Sequence, residues 1–159
     1  EFRRVLFRSN SKIEFSSDFI IAYPGETEKD FNDTMKLVKK IKFINSYSFI
    51  FSPRPGTAAS NLKLIDENIA KERLKLIQKE LFGHQNFKNK TAENKIVNVL
   101  VENKMKEQNK FFGRTEYMTG VIFDGEQNIE GKIVPVLITS YNQNNLFGKI
   151  KLNKNIKAA

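Results

Sequence analysis

The hydrophobic positions of this chain change their period several times, and each change marks an element. Residues 19–22 form a continuous apolar run closed by Pro24 and Gly25, as in a strand buried on both faces of a parallel sheet. From Thr27 the apolar residues recur with the spacing of an amphipathic helix, and residues 46–52 then alternate as a second strand does. The pattern predicts a strand–helix–strand unit, the repeat from which parallel α/β sheets are built.

Local chemistry supports this first helix and predicts a second one. Thr27 and Asp30 have the spacing of a capping box, and the lysines within residues 39–42 suit the negative end of the helix dipole. Residues 66–90 predict a longer helix that begins at Asp66, a good N-cap residue. Its apolar stripe is predicted to be Leu74, Ile77 and Leu81, and its solvent-facing side Lys71, Arg73, Lys75 and Lys79.

The pattern changes again at Thr91, where we place a domain boundary. Five short apolar or alternating segments with turn residues between them follow: residues 96–102, 111–115, 120–123, 133–139 and 146–152. Strands of this length and spacing predict a small closed β-barrel of the OB or a related type.

Composition limits the chemistry that the chain can carry. Its 159 residues include no cysteine and one histidine, and the formal net charge is +9. The lack of cysteine excludes a disulfide scaffold and a thiolate metal site, and a lone His84 near a helical stripe is more often a packing or solvated residue than a ligand. No apolar run approaches the roughly 20 residues of a membrane span. We expect a cytoplasmic protein with a polyanionic partner, and the oligomeric state stays open.

The two ends of the chain are interpreted separately. Residues 1–9, EFRRVLFRS, have neither regular period and resemble a translated sequencing-adapter end, so we interpret them as an assembly scar. The alternative is a basic arm that binds nucleic acid. Residues 154–159 are interpreted as a basic tail.

Two loops of the first unit could bind a ligand. The Pro-Gly-Glu-Thr turn offers backbone N–H groups at a helix N-terminus, and Glu26 either contacts a ligand or complements the helix dipole. Pro53 and Pro55 hold Arg54 on a stiff segment after a strand, where its guanidinium suits a carboxylate or phosphate. The alternative for both loops is purely structural, a turn before a capped helix and a rigid exit turn.

Aromatic and basic residues interleave on one barrel strand. Lys110, Phe112 and Arg114 combine surfaces for base stacking with groups for phosphate contacts. Phe111 and Phe112 point to opposite faces of that strand, so at least one of them belongs to the core. The last strand and its exit carry Lys149 and Lys151. The small basic excess of this half predicts an auxiliary, salt-sensitive affinity for RNA.

Several linked motifs carry a family resemblance. SSDFIIAYPGETEKDFNDTMKLV, SYSFIFSPRPGTAAS and the Lys-Glu-Arg-Leu helix resemble the carboxyl-terminal half of a radical-SAM methylthiotransferase. FFGRTEYMTGVIFDGE, GKIVPVLIT and LFGKI are similar to its TRAM domain, a small RNA-binding barrel. The Ser-Pro-Arg-Pro-Gly-Thr form most resembles the MiaB type, which methylthiolates C2 of N6-isopentenyladenosine at tRNA position 37. Relatives that act on a ribosomal-protein aspartate or on threonylcarbamoyl-adenosine are close alternatives, as is a standalone TRAM-type RNA-binding module.

The resemblance implies a fold, cofactors and an incomplete site. Residues 10–66 would be the last strands and helices of a partial TIM-like radical-SAM barrel, 67–90 a linking helix and 91–153 the TRAM domain. S-adenosylmethionine and two [4Fe–4S] clusters would serve the complete enzyme, but the Cys-x-x-x-Cys-x-x-Cys loop is missing, so this chain should be inactive alone. Ala22 stands where the family usually has glycine. Without preceding strands we expect residues 10–66 to be marginally stable and residues 91–159 to fold alone.

The resemblance also implies two groups of site residues. Those bordering the S-adenosylmethionine or substrate pocket would be Tyr23, Pro24, Gly25, Glu26, Phe51 and Arg54. The TRAM face that would grip the tRNA anticodon arm carries Phe112 and Arg114, and Lys110, Lys149 and Lys151 are the further RNA-binding candidates. No catalytic residue and no metal ligand is assigned within the chain.

Overall fold

The computed structural model describes residue 10 and residues 12–106, 109–125 and 128–151. Along these residues the elements are β1 (Asp18–Ile21), α1 (Glu28–Ile41), β2 (Tyr47–Ile50), a 3-10 helix (Ala58–Asn61), α2 (Glu67–Ala92), β3 (Ile96–Lys104), β4 (Lys110–Arg114), β5 (Gly120–Asp124), β6 (Ile133–Tyr141) and β7 (Asn145–Ile150). The interpretations of residues 1–9 and 154–159 concern segments outside the described residues. Neither described α-helix has the length and apolar character that a bilayer crossing requires.

The chain divides into two compact units, Glu1–His84 and Gln85–Ala159, and the division falls within α2. In the first unit β1 and β2 pair in parallel, from Asp18 opposite Tyr47 to Ile21 opposite Ile50, and α1 connects them. This is the strand–helix–strand unit that the periodicity predicts. Its core contains Ile21, Phe31, Val38, Phe43, Ile77 and Leu81.

The prediction that β1 is buried on both faces is wrong for this chain. Ile21 is 2% exposed, but Ile20 is 59% exposed. On β2, Tyr47 and Phe49 are 67% and 56% exposed. The side chains of β2 alternate as predicted, but the face that carries these two residues is exposed to solvent. The physical reason is that, within the first unit, α1 and α2 contribute to a core on one face of the two strands only.

Both predicted helices begin where side chains cap them. Thr27 Oγ1 accepts the N–H of Asp30 at 3.2 Å, and Asp30 Oδ2 accepts the N–H of Thr27 at 2.9 Å, which completes the capping box of α1. Asp66 Oδ1 accepts the N–H of Asn68 at 2.9 Å ahead of α2. The start of each helix is therefore determined by local sequence.

The second unit is a closed five-stranded barrel with strand order β3-β4-β5-β7-β6, which confirms the predicted barrel. The β5–β7 pair is parallel and the other pairs are antiparallel. Closure leaves no free strand edge, in contrast to the two-stranded sheet of the first unit. The core contains Val99, Val101, Phe111, Val121, Phe123, Val136, Ile138 and Leu146.

Two buried glycines allow the barrel strands to approach closely. A Cβ on Gly113 would collide with the carbonyl oxygen of Leu100, and one on Gly148 would collide with that of Leu137. Both glycines lie on the inner side of their strands next to an irregularity in pairing. A side chain at either position would force the strands apart.

The last turns of α2 belong to the barrel unit. The side chain of Asn89 is 1% exposed, and its Nδ2 donates to the carbonyl oxygens of Asn142 at 2.9 Å and Gln143 at 3.2 Å. This amide satisfies two backbone acceptors in the turn between β6 and β7. Residues that the sequence assigns to a linking helix therefore support the barrel directly, and the boundary at Thr91 stays a prediction.

Candidate strand-end site and nucleic-acid interface

The carboxyl ends of β1 and β2 lie side by side, so the residues after each strand meet. The N–H of Phe51 donates to the carbonyl oxygen of Ile21 at 2.8 Å. The rings of Tyr23 and Phe51 pack edge to face, with their centroids 5.0 Å apart. Two candidates from separate segments of the sequence thus form one wall at the sheet edge, which is where α/β sheets bind ligands.

The turn after β1 has an unusual backbone at Ala22. Its φ is +59°, in the left-handed region that favours glycine. An alanine in this conformation costs about 1 kcal/mol of strain, which a glycine would avoid. Gly25 follows with φ of +90°, and the N–H of Glu26 donates to the carbonyl oxygen of Tyr23 at 2.8 Å. Pro24 is buried within this turn.

Glu26 is bound by the protein itself. Its Oε2 accepts the N–H of Ala22 at 3.0 Å, and its Oε1 lies 2.7 Å from Nη1 of Arg73. The same Nη1 donates to the Glu26 carbonyl oxygen at 3.2 Å. Both carboxylate oxygens therefore take part in fixing the turn, and a ligand contact by Glu26 stays a prediction.

Arg73 does not lie on the solvent-facing side of α2, so that prediction is wrong. It is 7% exposed, and its Nη2 lies 3.0 Å from Glu28 Oε2. Its guanidinium carbon is 5.3 Å from the centroid of the Phe31 ring. The physical reason for its burial is that two carboxylates and an aromatic face compensate the charge when it leaves water.

Arg54 stands on a fixed backbone with an exposed side chain. Its carbonyl oxygen accepts the N–H of Thr57 at 3.2 Å and the Thr57 hydroxyl at 2.8 Å. Beside it is an open depression of about 530 Å³, lined in part by Ile20, Phe49 and Phe51. Within the described part of the chain the guanidinium makes no ion pair. This geometry is compatible with an anionic ligand and also with the structural alternative.

The chain provides no ligand set for a metal or a cluster. Among the described residues no group of three or more His, Cys, Asp or Glu side chains could hold an ion. His84 Nε2 lies 3.2 Å from Glu80 Oε1 on the same helix, and the His84 side chain is 14% exposed, in line with its predicted packing role. Because the sequence also contains no cysteine, its residues do not fit an iron–sulfur cluster.

The second candidate region is the outer face of the barrel formed by β4, β5 and β7. Core residues alternate with outward ones on these strands, and the register aligns the outward ones in rows. The three rows are Lys110–Asp124–Lys149, Phe112–Ile122–Phe147 and Arg114–Gly120–Asn145. Four of the predicted RNA-binding residues therefore share one surface, which we call the platform.

The individual candidates on the platform differ in environment. The guanidinium carbon of Arg114 lies 5.3 Å from the centroid of the Phe112 ring, while its Nε is 2.9 Å from Glu102 Oε1. Lys149 is exposed, as is Lys151, which follows β7 with the same outward alternation. Phe111 is 1% exposed, which confirms that one phenylalanine of the pair is core.

Ile122 and Phe147, which lie in the middle row beside Phe112, were not among the predicted site residues. Alternation along β7 points Phe147 to the outer face, because its neighbours Leu146 and Gly148 are buried on the inner face. The outward direction of Phe147 could therefore be predicted from the sequence. The sequence could not predict that Phe147 and Phe112 lie on either side of Ile122, because the parallel pairing of β5 with β7 joins segments that are distant in sequence.

Residues 90–151 match the family model described as TRAM domain. A Pelagibacter ubique protein named tRNA-2-methylthio-N(6)-dimethylallyladenosine synthase is 62% identical over 154 residues, which is 97% of this chain and 34% of the relative. Proteins of the same name from Ruthia magnifica and Wolbachia pipientis are 42% and 44% identical, and the chain covers 33% and 32% of them. The chain thus spans about a third of the relatives that carry this name, and its barrel unit matches the TRAM domain.

Proposed function

We propose that the chain is part of an enzyme that adds a methylthio group to C2 of N6-dimethylallyladenosine at position 37 of tRNA. The observation that carries the proposal is the identity of 62% to a relative named for that product over nearly the whole chain. Because the chain corresponds to about a third of such relatives, the reaction is a property of the complete protein.

This chain would contribute one edge of the cofactor pocket, and the rest of the complete protein would hold the iron–sulfur clusters. Since no cysteine is present, the two [4Fe–4S] clusters would be held elsewhere, and this chain alone would be inactive. S-adenosylmethionine or the substrate would border the carboxyl ends of β1 and β2. There the turn from Tyr23 to Glu26 and the side chain of Phe51 would shape the pocket, and Arg54 would meet an anionic group.

The barrel unit would bind the tRNA anticodon arm. Lys110, Phe112, Arg114, Lys149 and Lys151 are proposed to contact it, with the cations on phosphates and the aromatic ring on a base. A tRNA-modifying role would place the protein in the cytoplasm. A standalone RNA-binding module is the less favoured function, because the Tyr23–Phe51 wall and the fixed turn beside it would have no use in such a module.

Nucleoside analysis of cellular tRNA tests this proposal. In a bacterial strain without its own enzyme of this kind, the complete coding sequence should restore the 2-methylthio nucleoside, as measured by mass spectrometry. The 159-residue chain should restore none. A methylthio group found instead on a ribosomal-protein aspartate or on threonylcarbamoyl-adenosine would replace this proposal with one of the related activities.

A further inference from the structure

We infer that the platform binds single-stranded RNA by stacking two separated bases, one on Phe112 and one on Phe147. This inference rests on the proposed function, and it deepens that function by naming the kind of RNA and a second stacking residue. It comes from the order of side chains across the barrel surface.

The middle row of the platform is apolar, and it is bordered by a polar residue on the neighbouring strand at each end. Across five neighbouring strands the paired positions run Asn103, Phe112, Ile122, Phe147 and Ser140. The two polar residues at the ends are exposed, and the three central residues are half-buried. Two aromatic rings on either side of one aliphatic residue form a surface that π-faces of any base can contact.

The outer surface where β3 pairs with β6 has a different chemistry. The outward pairs between β3 and β6 are Ile96–Leu137, Asn98–Pro135 and Leu100–Ile133. These positions carry neither an aromatic ring nor a charge. Among the outward positions of these paired strands, aromatic and cationic side chains thus concentrate on the platform, which favours nucleic acid over an aliphatic partner there.

Strand spacing determines what kind of RNA can use both rings. Phe112 and Phe147 are two strands apart, because β5 lies between β4 and β7. Neighbouring strands are about 4.8 Å apart, so the two residues are separated by roughly 10 Å. Bases stacked on one another in a helix are only about 3.4 Å apart. Two bases that contact both rings must therefore be splayed, which a duplex does not allow.

Charges beside the middle row suit the phosphates of such a strand. Lys110 and Lys149 lie on either side of Asp124 in the adjacent row, about 6.6 Å further along the strands. Arg114 flanks the row on the other side, although Glu102 partly neutralises it. With Lys151, basic side chains outnumber acidic ones around the rings, so backbone contacts are expected on both sides of the stacked bases.

Fluorescence anisotropy with the 159-residue chain tests the inference. The probes are a labelled single-stranded RNA decamer and the same strand in a duplex, each over a salt series. Phe112→Ala and Phe147→Ala should each weaken decamer binding roughly 5- to 150-fold. Phe87→Ala is the matched control, because Phe87 is a 66% exposed phenylalanine on α2, and it should leave binding unchanged. Lys149→Gln should reduce the slope of log affinity against log salt by about 0.7.

Conservative variants separate stacking from folding. Phe147→Leu keeps an apolar side chain in the half-buried position and should bind as weakly as the alanine variant, while Phe147→Tyr keeps the ring and should bind like the parent. If Phe112→Ala, Phe147→Ala and Phe147→Leu all bind the decamer like the parent, or if the duplex binds as well as the decamer, the inference is overturned and the tRNA proposal stands. If the parent chain binds no RNA at low salt, the inference fails whatever the nucleoside analysis shows.

Discussion

At the scale of single residues, Arg73 shows how one buried charge organises a distant turn. It connects α2 to Glu26 and Glu28, and Glu26 in turn holds the left-handed backbone of Ala22. The carboxyl edge of β1 therefore depends on a residue that is 47 positions away from Glu26 in the sequence. We regard Arg73 as the residue that positions this turn.

Replacing Arg73 by methionine should strongly destabilise the first unit. Breaking a buried ion pair from one side leaves carboxylates without their partner, which typically costs about 3–5 kcal/mol. Lys71→Met is a matched control on the same helix, because Lys71 and its partner Glu67 have side chains that are 63% and 77% exposed, and it should cost at most about 1 kcal/mol. Amide hydrogen exchange across residues 18–84 measures both. Equal protection in the two variants would contradict the positioning role.

At the scale of elements, the start of α1 is stabilised by the capping box of Thr27 and Asp30, whose hydrogen bonds depend on pH. Hydrogen bonds from the Thr27 hydroxyl and backbone hold the pKa of Asp30 below its usual value of 3.8. Ion-pair hydrogen bonds from Lys36 and Lys29 likewise lower the pKa of Asp33. A lowered pKa in the folded state means that the stabilisation is complete above pH 3.8 and is lost as the pH falls through the folded-state pKa.

Thr27→Ala should therefore weaken α1 at neutral pH and reduce its sensitivity to acid. The loss of an N-cap costs about 0.5–2 kcal/mol. The Asp30 contribution to acid sensitivity should shrink, because the Thr27 hydroxyl is lost while the backbone N–H of residue 27 remains as a donor. Hydrogen exchange of the α1 amides between pH 3 and pH 7 would report the change, corrected for the intrinsic exchange rate. Asp33→Asn serves as the comparison, since it should leave the acid sensitivity that depends on Thr27 and Asp30 intact. If Thr27→Ala and the parent show the same dependence of protection on pH, the capping box does not contribute as described.

At the scale of the whole molecule, the two units have separate cores and should differ in their tendency to aggregate. The barrel is closed, whereas the two-stranded sheet exposes Ile20, Tyr47 and Phe49. An open sheet with apolar residues on its surface is a site for pairing with other chains. The expectation that residues 10–66 are marginal and that residues 91–159 fold alone therefore stays a prediction with a clear physical basis.

Truncated proteins that begin at residue 85 or at residue 91 test that expectation. A protein of residues 85–159 should unfold cooperatively and should be more stable than one of residues 91–159 by about 1–3 kcal/mol. The difference arises because the shorter piece lacks Asn89, whose amide satisfies the carbonyl groups of Asn142 and Gln143. Thermal unfolding followed by circular dichroism measures it, and Asn89→Ala in the longer piece should reproduce most of the loss. Cooperative unfolding of residues 10–66 alone would refute the expected asymmetry.

The sequence by itself determined the features that depend on neighbours along the chain. The capping box of α1, the lengths of the helices and the five barrel strands follow from periodicity and local hydrogen bonding, and linked motifs predicted which proteins the chain resembles. Only the tertiary structure decided which candidates meet. It buried Arg73, left Ile20 exposed, and placed Phe147 two strands from Phe112. The reason is physical: a local pattern shows which face a side chain occupies, whereas burial and partnership depend on segments that fold against it from far away in the sequence.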